Sequence, residues 1–131
     1  MISVGIDISK EKSMVCVMKP MGEIVVGPYE ISHTETDLSE LARMIERLDS
    51  DVRIVMEATG IYHLPVAIFL KDAGFFVSVI NPLEMKIYRS QDMRKVKTDK
   101  RDSISIANYG IEKWFTLRPF DCQEGVYAEL K

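Results

Sequence analysis

Only two cysteines occur in the 131 residues, Cys16 and Cys122. They form no CxxC pair and no His/Cys cluster, which excludes a disulfide framework and a thiolate zinc site and fits a reducing compartment. No apolar run approaches the roughly 18 residues of a membrane span. The opening, MISVGIDISKEK, has no basic segment ahead of an apolar stretch and meets an acid at Asp7, so no secretory signal is expected. A cytoplasmic chain with no membrane association is the resulting expectation. Glycine is absent from the first turn, Ser9-Lys10-Glu11-Lys12. Actin-like and sugar-kinase ATPases also begin with a strand aspartate before a hairpin, but their phosphate-binding turns need glycine for close backbone approach. An actin-like ATPase fragment is therefore the weaker alternative.

What is present is an ordinary globular composition, 47% hydrophobic and 28% charged, with a net charge of −3. The length fits one domain with a real core. The charge is unevenly spread. Between residues 86 and 101, Lys86, Arg89, Arg94, Lys95, Lys97, Lys100 and Arg101 face only Asp92 and Asp99, so this window carries +5 within an acidic chain. Such a patch is a candidate phosphate-facing surface.

Ile2, Val4, Ile6 and Ile8 alternate with Ser3, Gly5, Asp7 and Ser9, the period of a strand whose second face is lined by small residues and one acid. SMVCVMKP and EIVVGPYEI follow across short turns, predicting an antiparallel meander. The period then changes. Leu38, Leu41, Ile45 and Leu48 recur at helical spacing behind Thr34 or Thr36 as N-cap. VRIVME reads as a strand, ATG as a turn, IYHLPVAIFLKDAG as a helix ending at Gly74, and FFVSVI as a buried parallel strand. NPLEMKIYRSQ predicts a short helix, and TDKRDSISIANYGIEKW a longer one with Thr98 as cap. TLRPFDCQEG is a loop, and VYAELK the first turns of another helix. This order, β-β-β-α-β-α-β-α, is that of the ribonuclease H-like α/β fold: a five-stranded mixed sheet, three antiparallel strands then two parallel, with flanking helices. The expected division is a domain over residues 1–115 and a loop with the start of a linker helix over 116–131.

Four acids stand out on this topology. Asp7 lies in a strand where an uncompensated buried carboxylate would cost several kcal/mol. Glu57 ends the fourth strand just before the turn Ala58-Thr59-Gly60, at the carboxyl end where ligands bind in open α/β sheets. The first and fourth strands are expected neighbours, which brings these two acids together. Asp99 and Asp102, three residues apart, share one helix face with Ile106 and Ala107. Hard oxygen donors of this kind suit Mg²⁺ or Mn²⁺, in a two-metal arrangement for phosphodiester chemistry. The plainer reading makes Asp99 a first-turn acid on the helix dipole and Asp102 a surface ion-pair partner. The domain would then bind nucleic acid or a protein partner without catalysis. His63 reads as a packing or surface residue, His33 carries less information, and Tyr62 and Tyr88 are packing residues before they are base-stacking ones.

The stretches VGIDISKEK, VMEATGIYH, VINPLEMKIYRSQ and KVKTDKRDSISIANYG, in this order, resemble the N-terminal domain of the DEDD transposases of the insertion-sequence 110 group over roughly residues 2–113. The resemblance implies a RuvC-like domain with Asp7, Glu57, Asp99 and Asp102 as catalytic and metal-holding acids, Mg²⁺ as cofactor, and DNA as substrate. It further implies a structured guide RNA, a homo-oligomer at work, and a C-terminal domain carrying a nucleophilic serine. No stretch here matches that serine region, so the chain is expected to be a fragment, and Ser103 and Ser105 are expected to be structural.

Overall fold

The computed structural model describes residues 1–48, 51–91 and 99–121, with the backbone alone for residues 99–101. Five strands, β1 (Ile2–Ile8), β2 (Lys12–Lys19), β3 (Glu23–Ser32), β4 (Val52–Glu57) and β5 (Phe76–Ile80), form one sheet in the order β3-β2-β1-β4-β5. The β1–β2 and β2–β3 pairs are antiparallel, and β1–β4 and β4–β5 are parallel. This is the mixed sheet that the pattern predicts. Among the described residues four helices cover it: α1 (Glu35–Glu46), α2 (Leu64–Asp72), α3 (Pro82–Ser90) and α4 (Asp99–Glu112). None of the described helices is long and apolar enough to cross a membrane.

The alternation in β1 sorts the two faces. Val4 and Ile6, both fully buried, join Ile54 and Met56 of β4 and pack on Leu38, Leu41 and Ile45 of α1 and Val66, Ala67 and Leu70 of α2. Ser3, Gly5 and Asp7 face the opposite way, toward α4. There Val55, Ile80, Met85, Ile106 and Tyr109 form a second core, and Cys16, Met18 and Ala107 a third. Burial pushes the Cys16 thiol up to about 11, so it behaves as an apolar filler.

The starts of α1 and α3 are capped by side chains. Thr34, not Thr36, caps α1, its Oγ1 accepting the Asp37 N–H at 3.2 Å, and Leu48 falls just beyond the helix. Asn81 caps α3 by accepting the Leu83 N–H at 2.8 Å, with Pro82 in the first turn. Thr98 lies outside the described residues. The helix expected from Ile61 begins only at Leu64. Gly60 has φ +55° and the Tyr62 N–H bonds back to the Thr59 carbonyl, so residues 59–63 form a turn and not the first helical turn.

After α4 a short 3₁₀ turn, Trp114–Thr116, is tied to β4 by Arg53. Its guanidinium donates to the Trp114 carbonyl at 2.6 Å and lies 4.5 Å from the Trp114 ring centroid and 4.6 Å from that of Phe76. Leu117 and Phe120 are buried, and the Phe120 N–H bonds to the Val77 carbonyl. Packing therefore continues past residue 115, the expected edge of the domain. VYAELK lies outside the described residues.

Candidate metal centre

Parallel pairing of β1 and β4 runs from Ile2 opposite Val52 to Ile6 opposite Met56. Asp7 and Glu57 are the next residue of each strand. Residues at equal register in a parallel pair share a face, so both carboxylates stand at the carboxyl end of the sheet on the α4 side. Beyond Glu57 the chain turns tightly. The Thr59 hydroxyl donates to the Glu57 carbonyl at 3.1 Å, and the Thr59 N–H donates to Nδ1 of His63 at 3.1 Å. His63 is fully buried, and burial, opposed in part by the Thr59 backbone bond, holds its pKa below the ordinary value. It is a packing residue of this turn.

Helix α4 reaches the same edge because nothing stands between it and β1. A Cβ on Gly5 would lie 2.3 Å from the Ala107 nitrogen and 2.6 Å from the Ser103 carbonyl oxygen. A Cβ on Gly110 would lie 2.2 Å from Ser3 Oγ. The helix thus runs antiparallel to β1, with Gly110 over Ser3 and Ser103 and Ala107 over Gly5. Two more strand residues advance about 6.6 Å, which is about 4.4 residues of helix at 1.5 Å each. Asp7 is therefore met by the first turn of α4, where Asp99 and Asp102 sit. Asp102 is described, with its side chain 39% exposed. Asp99 is placed by its backbone as the first residue of the helix, and its side chain lies outside the described residues. Ser103 is fully buried against β1, in line with a structural role.

Arg89, near the end of α3, stands among the acids. Its Nη2 donates to Glu57 Oε1 at 3.0 Å, and its Nε lies 3.9 Å from Asp102 Oδ1. The first is a charge-assisted hydrogen bond, and the second is beyond hydrogen-bond reach and acts through charge alone. Arg89 Nε is buried with no hydrogen-bond acceptor among the described residues. Helix α3 is held for this by α4. The Tyr88 and Tyr109 rings meet edge to face at 5.1 Å, the Tyr88 hydroxyl donates to Glu112, and the Tyr109 hydroxyl donates to Glu84 at 3.2 Å. Burial and Glu84 together push the Tyr109 phenol upward. Tyr88 is thus a packing residue, whereas Tyr62 is 40% exposed on the turn after Glu57.

Of the seven basic residues expected to face phosphate, Lys86 is exposed on α3 and Arg89 is turned to the carboxylates. Lys100 and Arg101 lie on the first turn of α4 with side chains outside the described residues, and Arg94, Lys95 and Lys97 lie outside them altogether. Sequence reasoning did not foresee Arg89 as the acids' partner. It is 32 residues from Glu57 and 13 from Asp102, and no spacing rule links them; only the docking of Tyr88 beside it on α4 would have placed it.

The donor set is all carboxylate oxygen, which fits a hard divalent cation, and the half-buried Arg89 between Glu57 and Asp102 shows that positive charge is accommodated there. Among the described residues no group of three His, Cys, Asp or Glu side chains is close enough to hold an ion together.

The sheet order, the acids at its carboxyl edge and α4 laid on β1 define a RuvC-like, ribonuclease H-like domain. RuvC of Thermus thermophilus superposes with a TM-score of 0.65 at 12% identity, over 92% of this chain and 100% of that one. The same enzyme in complex with a Holliday junction substrate gives 0.64 at 11% identity, over 92% and 99%. The chain belongs to the IS110-type DEDD transposase family, whose model matches residues 4–131. It is 27% identical over 106 residues to the transposase for insertion sequence element IS1533 of Leptospira borgpetersenii, a match covering 81% of this chain and 30% of that protein. It is 34% identical over 64 residues to the pilin gene-inverting protein of Moraxella lacunata, covering 49% of this chain and 20% of that protein. The chain thus spans less than a third of the length of these relatives.

Proposed function

We propose that this domain is the metal-dependent DNA-cleaving part of a transposase, with Asp7, Glu57, Asp99 and Asp102 as its catalytic and metal-holding acids. The observation that carries the reading is the equal register of Asp7 and Glu57 on adjacent parallel strands, with Asp102 across Arg89 from Glu57. Bound Mg²⁺ or Mn²⁺ would supply charge neutralisation at a phosphodiester and activation of an attacking oxygen. The chain's own part is placement. Parallel pairing sets the two strand acids at equal register, Gly5 and Gly110 set the distance of α4, and the two hydrogen bonds of Thr59 close the turn after Glu57. Lys86, Arg94, Lys95, Lys97, Lys100 and Arg101 flank the acids in sequence and serve to neutralise a DNA backbone, with Arg89 joining them once released from its acid partners.

The family resemblance extends the same reading to strand transfer in a mobile element, to a guide RNA, to a homo-oligomer, to a further domain supplying a serine, and to the cytoplasm as the place of action. The test of the core reading is Mn²⁺ calorimetry on wild type, Asp7→Ala, Glu57→Ala and Asp102→Ala. Each substitution is expected to weaken binding at least tenfold. Equal binding by wild type and variants would leave a nucleic-acid-binding domain without a metal centre.

A further inference from the structure

Arg89 is built into the acid edge in an unfinished way. A guanidinium serving only as structural cement normally satisfies its fork with parallel hydrogen bonds to one carboxylate. Here one nitrogen bonds Glu57 at 3.0 Å, while Nε stops 3.9 Å short of Asp102 and, although buried, has no hydrogen-bond acceptor among the described residues. The side chain retains 29% of its exposure, those of Glu57 and Asp102 22% and 39%. Part of the Arg89 side chain thus already touches solvent. It also stands in the last turn of a nine-residue helix whose other face is fastened by Tyr88 and by Glu84, so Arg89 can leave the acids by rotating its own side chain while α3 stays in place. Lys86, one turn earlier on α3, is already exposed.

Two cations cannot share Glu57 and Asp102 at full strength. A divalent ion held by both carboxylates competes with the guanidinium for their negative charge and for the Glu57 Oε1 that it hydrogen-bonds, and its own charge repels the guanidinium at close range. We propose that Arg89 is an exchangeable counter-cation. It pairs with Glu57 and Asp102 while the acids are free of metal, and it is expelled toward the nucleic-acid backbone when a divalent ion binds, so that metal loading adds one phosphate-binding charge to the surface. This rests on the metal-dependent reading above, and it adds an order of events: ion first, then firm grip on the backbone.

The ordinary alternatives predict different signs. If Arg89 merely organises the acids, losing it weakens ion binding; if it is an incidental surface pair, losing it changes nothing. As a competitor, its loss strengthens ion binding. Because the ion must displace a charge-assisted hydrogen bond that is partly solvated, Arg89→Gln should bind Mn²⁺ about tenfold more tightly than wild type by calorimetry, the lower end of what such a bond supports. Arg89→Lys keeps the competing charge and should stay within about threefold of wild type. With saturating Mn²⁺, binding to a short DNA duplex should lose affinity with salt more steeply for wild type than for Arg89→Gln, by about one counterion. Without metal the two slopes should agree. A measurement on the unmutated chain needs no variant to fold: the Arg89 Nε–H resonance should be protected from solvent exchange in metal-free protein and exchange rapidly once Mg²⁺ is added. If wild type binds Mn²⁺ while Arg89→Gln binds it equally or more weakly, or if the Nε–H stays protected with Mg²⁺ bound, the exchange is overturned and the metal centre stands. If neither wild type nor Arg89→Gln binds the ion, the metal centre itself fails and the exchange with it.

Discussion

Replacing Gly5 by alanine tests whether α4 rests directly on β1. The added methyl carbon would meet the Ala107 nitrogen at 2.3 Å, the Ser103 oxygen at 2.6 Å and the Ala107 Cα at 2.7 Å. All three obstacles are main-chain atoms of a helix, so no side chain can swing aside, and restoring contacts of about 3.5 Å requires the helix to lift by roughly 1 Å. Overpacking of this kind costs about 1–3 kcal/mol, and the rigid obstacle puts it near the top of that range. Against it stands the gain of about 0.5–1 kcal/mol from replacing glycine in a strand. The net loss is then about 2–2.5 kcal/mol. For 131 residues the unfolding entropy is about 0.28 kcal/mol/K, so each kcal/mol moves the midpoint by roughly 4 °C, and Gly5→Ala should melt about 7–9 °C below wild type by circular dichroism. Gly74→Ala is the control. Gly74 has φ +96° with nothing within 4 Å of the built Cβ, so its cost is backbone conformation alone, about 1–2 kcal/mol. A Gly5→Ala melt within 2 °C of wild type would refute the direct seating of α4, and with it the placement of Asp102 beside the strand acids.

Arg53→Ala removes a charged hydrogen bond to the Trp114 carbonyl and contacts with two rings. It should cost about 2–3 kcal/mol in urea unfolding and red-shift the fluorescence of the single tryptophan; unchanged emission would show that Trp114 stays buried without it. His63 has a folded pKa below its ordinary 6.5 because of burial. The unfolded chain therefore takes up the proton more readily, so the stability His63 contributes is complete above pH 6.5 and is lost as pH falls through the depressed folded value. His33, lowered in the same direction, adds to the slope, so His63→Phe should flatten the dependence of the melting midpoint between pH 7 and 5 only in part; a variant with an unaltered slope would remove His63 from the account.

The sheet was legible because its strands carry their environment in their spelling. Ile2-Val4-Ile6-Ile8 alternates because one face of β1 meets α1 and α2 while the other meets a helix backbone, and the small residues at Ser3 and Gly5 are the trace of that approach. The neighbouring positions of Asp7 and Glu57 were legible for a related reason, since both interrupt apolar strands close to where the strands end. Arg89 was not, because a guanidinium amid lysines looks the same in sequence whether it faces phosphate or carboxylate. The start of α2 was misplaced for a local reason: Ile61, Tyr62 and His63 have acceptable helix propensity, and the turn is decided by Gly60 at positive φ and by His63 accepting the Thr59 N–H. Thr98, Arg94, Lys95, Lys97 and the side chains of Asp99, Lys100 and Arg101 lie outside the described residues.

The central position of β1 has a consequence for how the chain assembles. Its hairpin partner β2 follows within four residues, so the antiparallel side can zip while the rest is still a coil. Its parallel partner begins only at Val52 and its covering helix at Asp99. Until both arrive, the first strand exposes an open hydrogen-bonding edge and a bare strip of Ser3 and Gly5 that any other extended segment could occupy. Completing the centre of the sheet is thus a late, long-range event, and a partly synthesised chain would be most prone to pairing with its neighbours before α4 closes over β1.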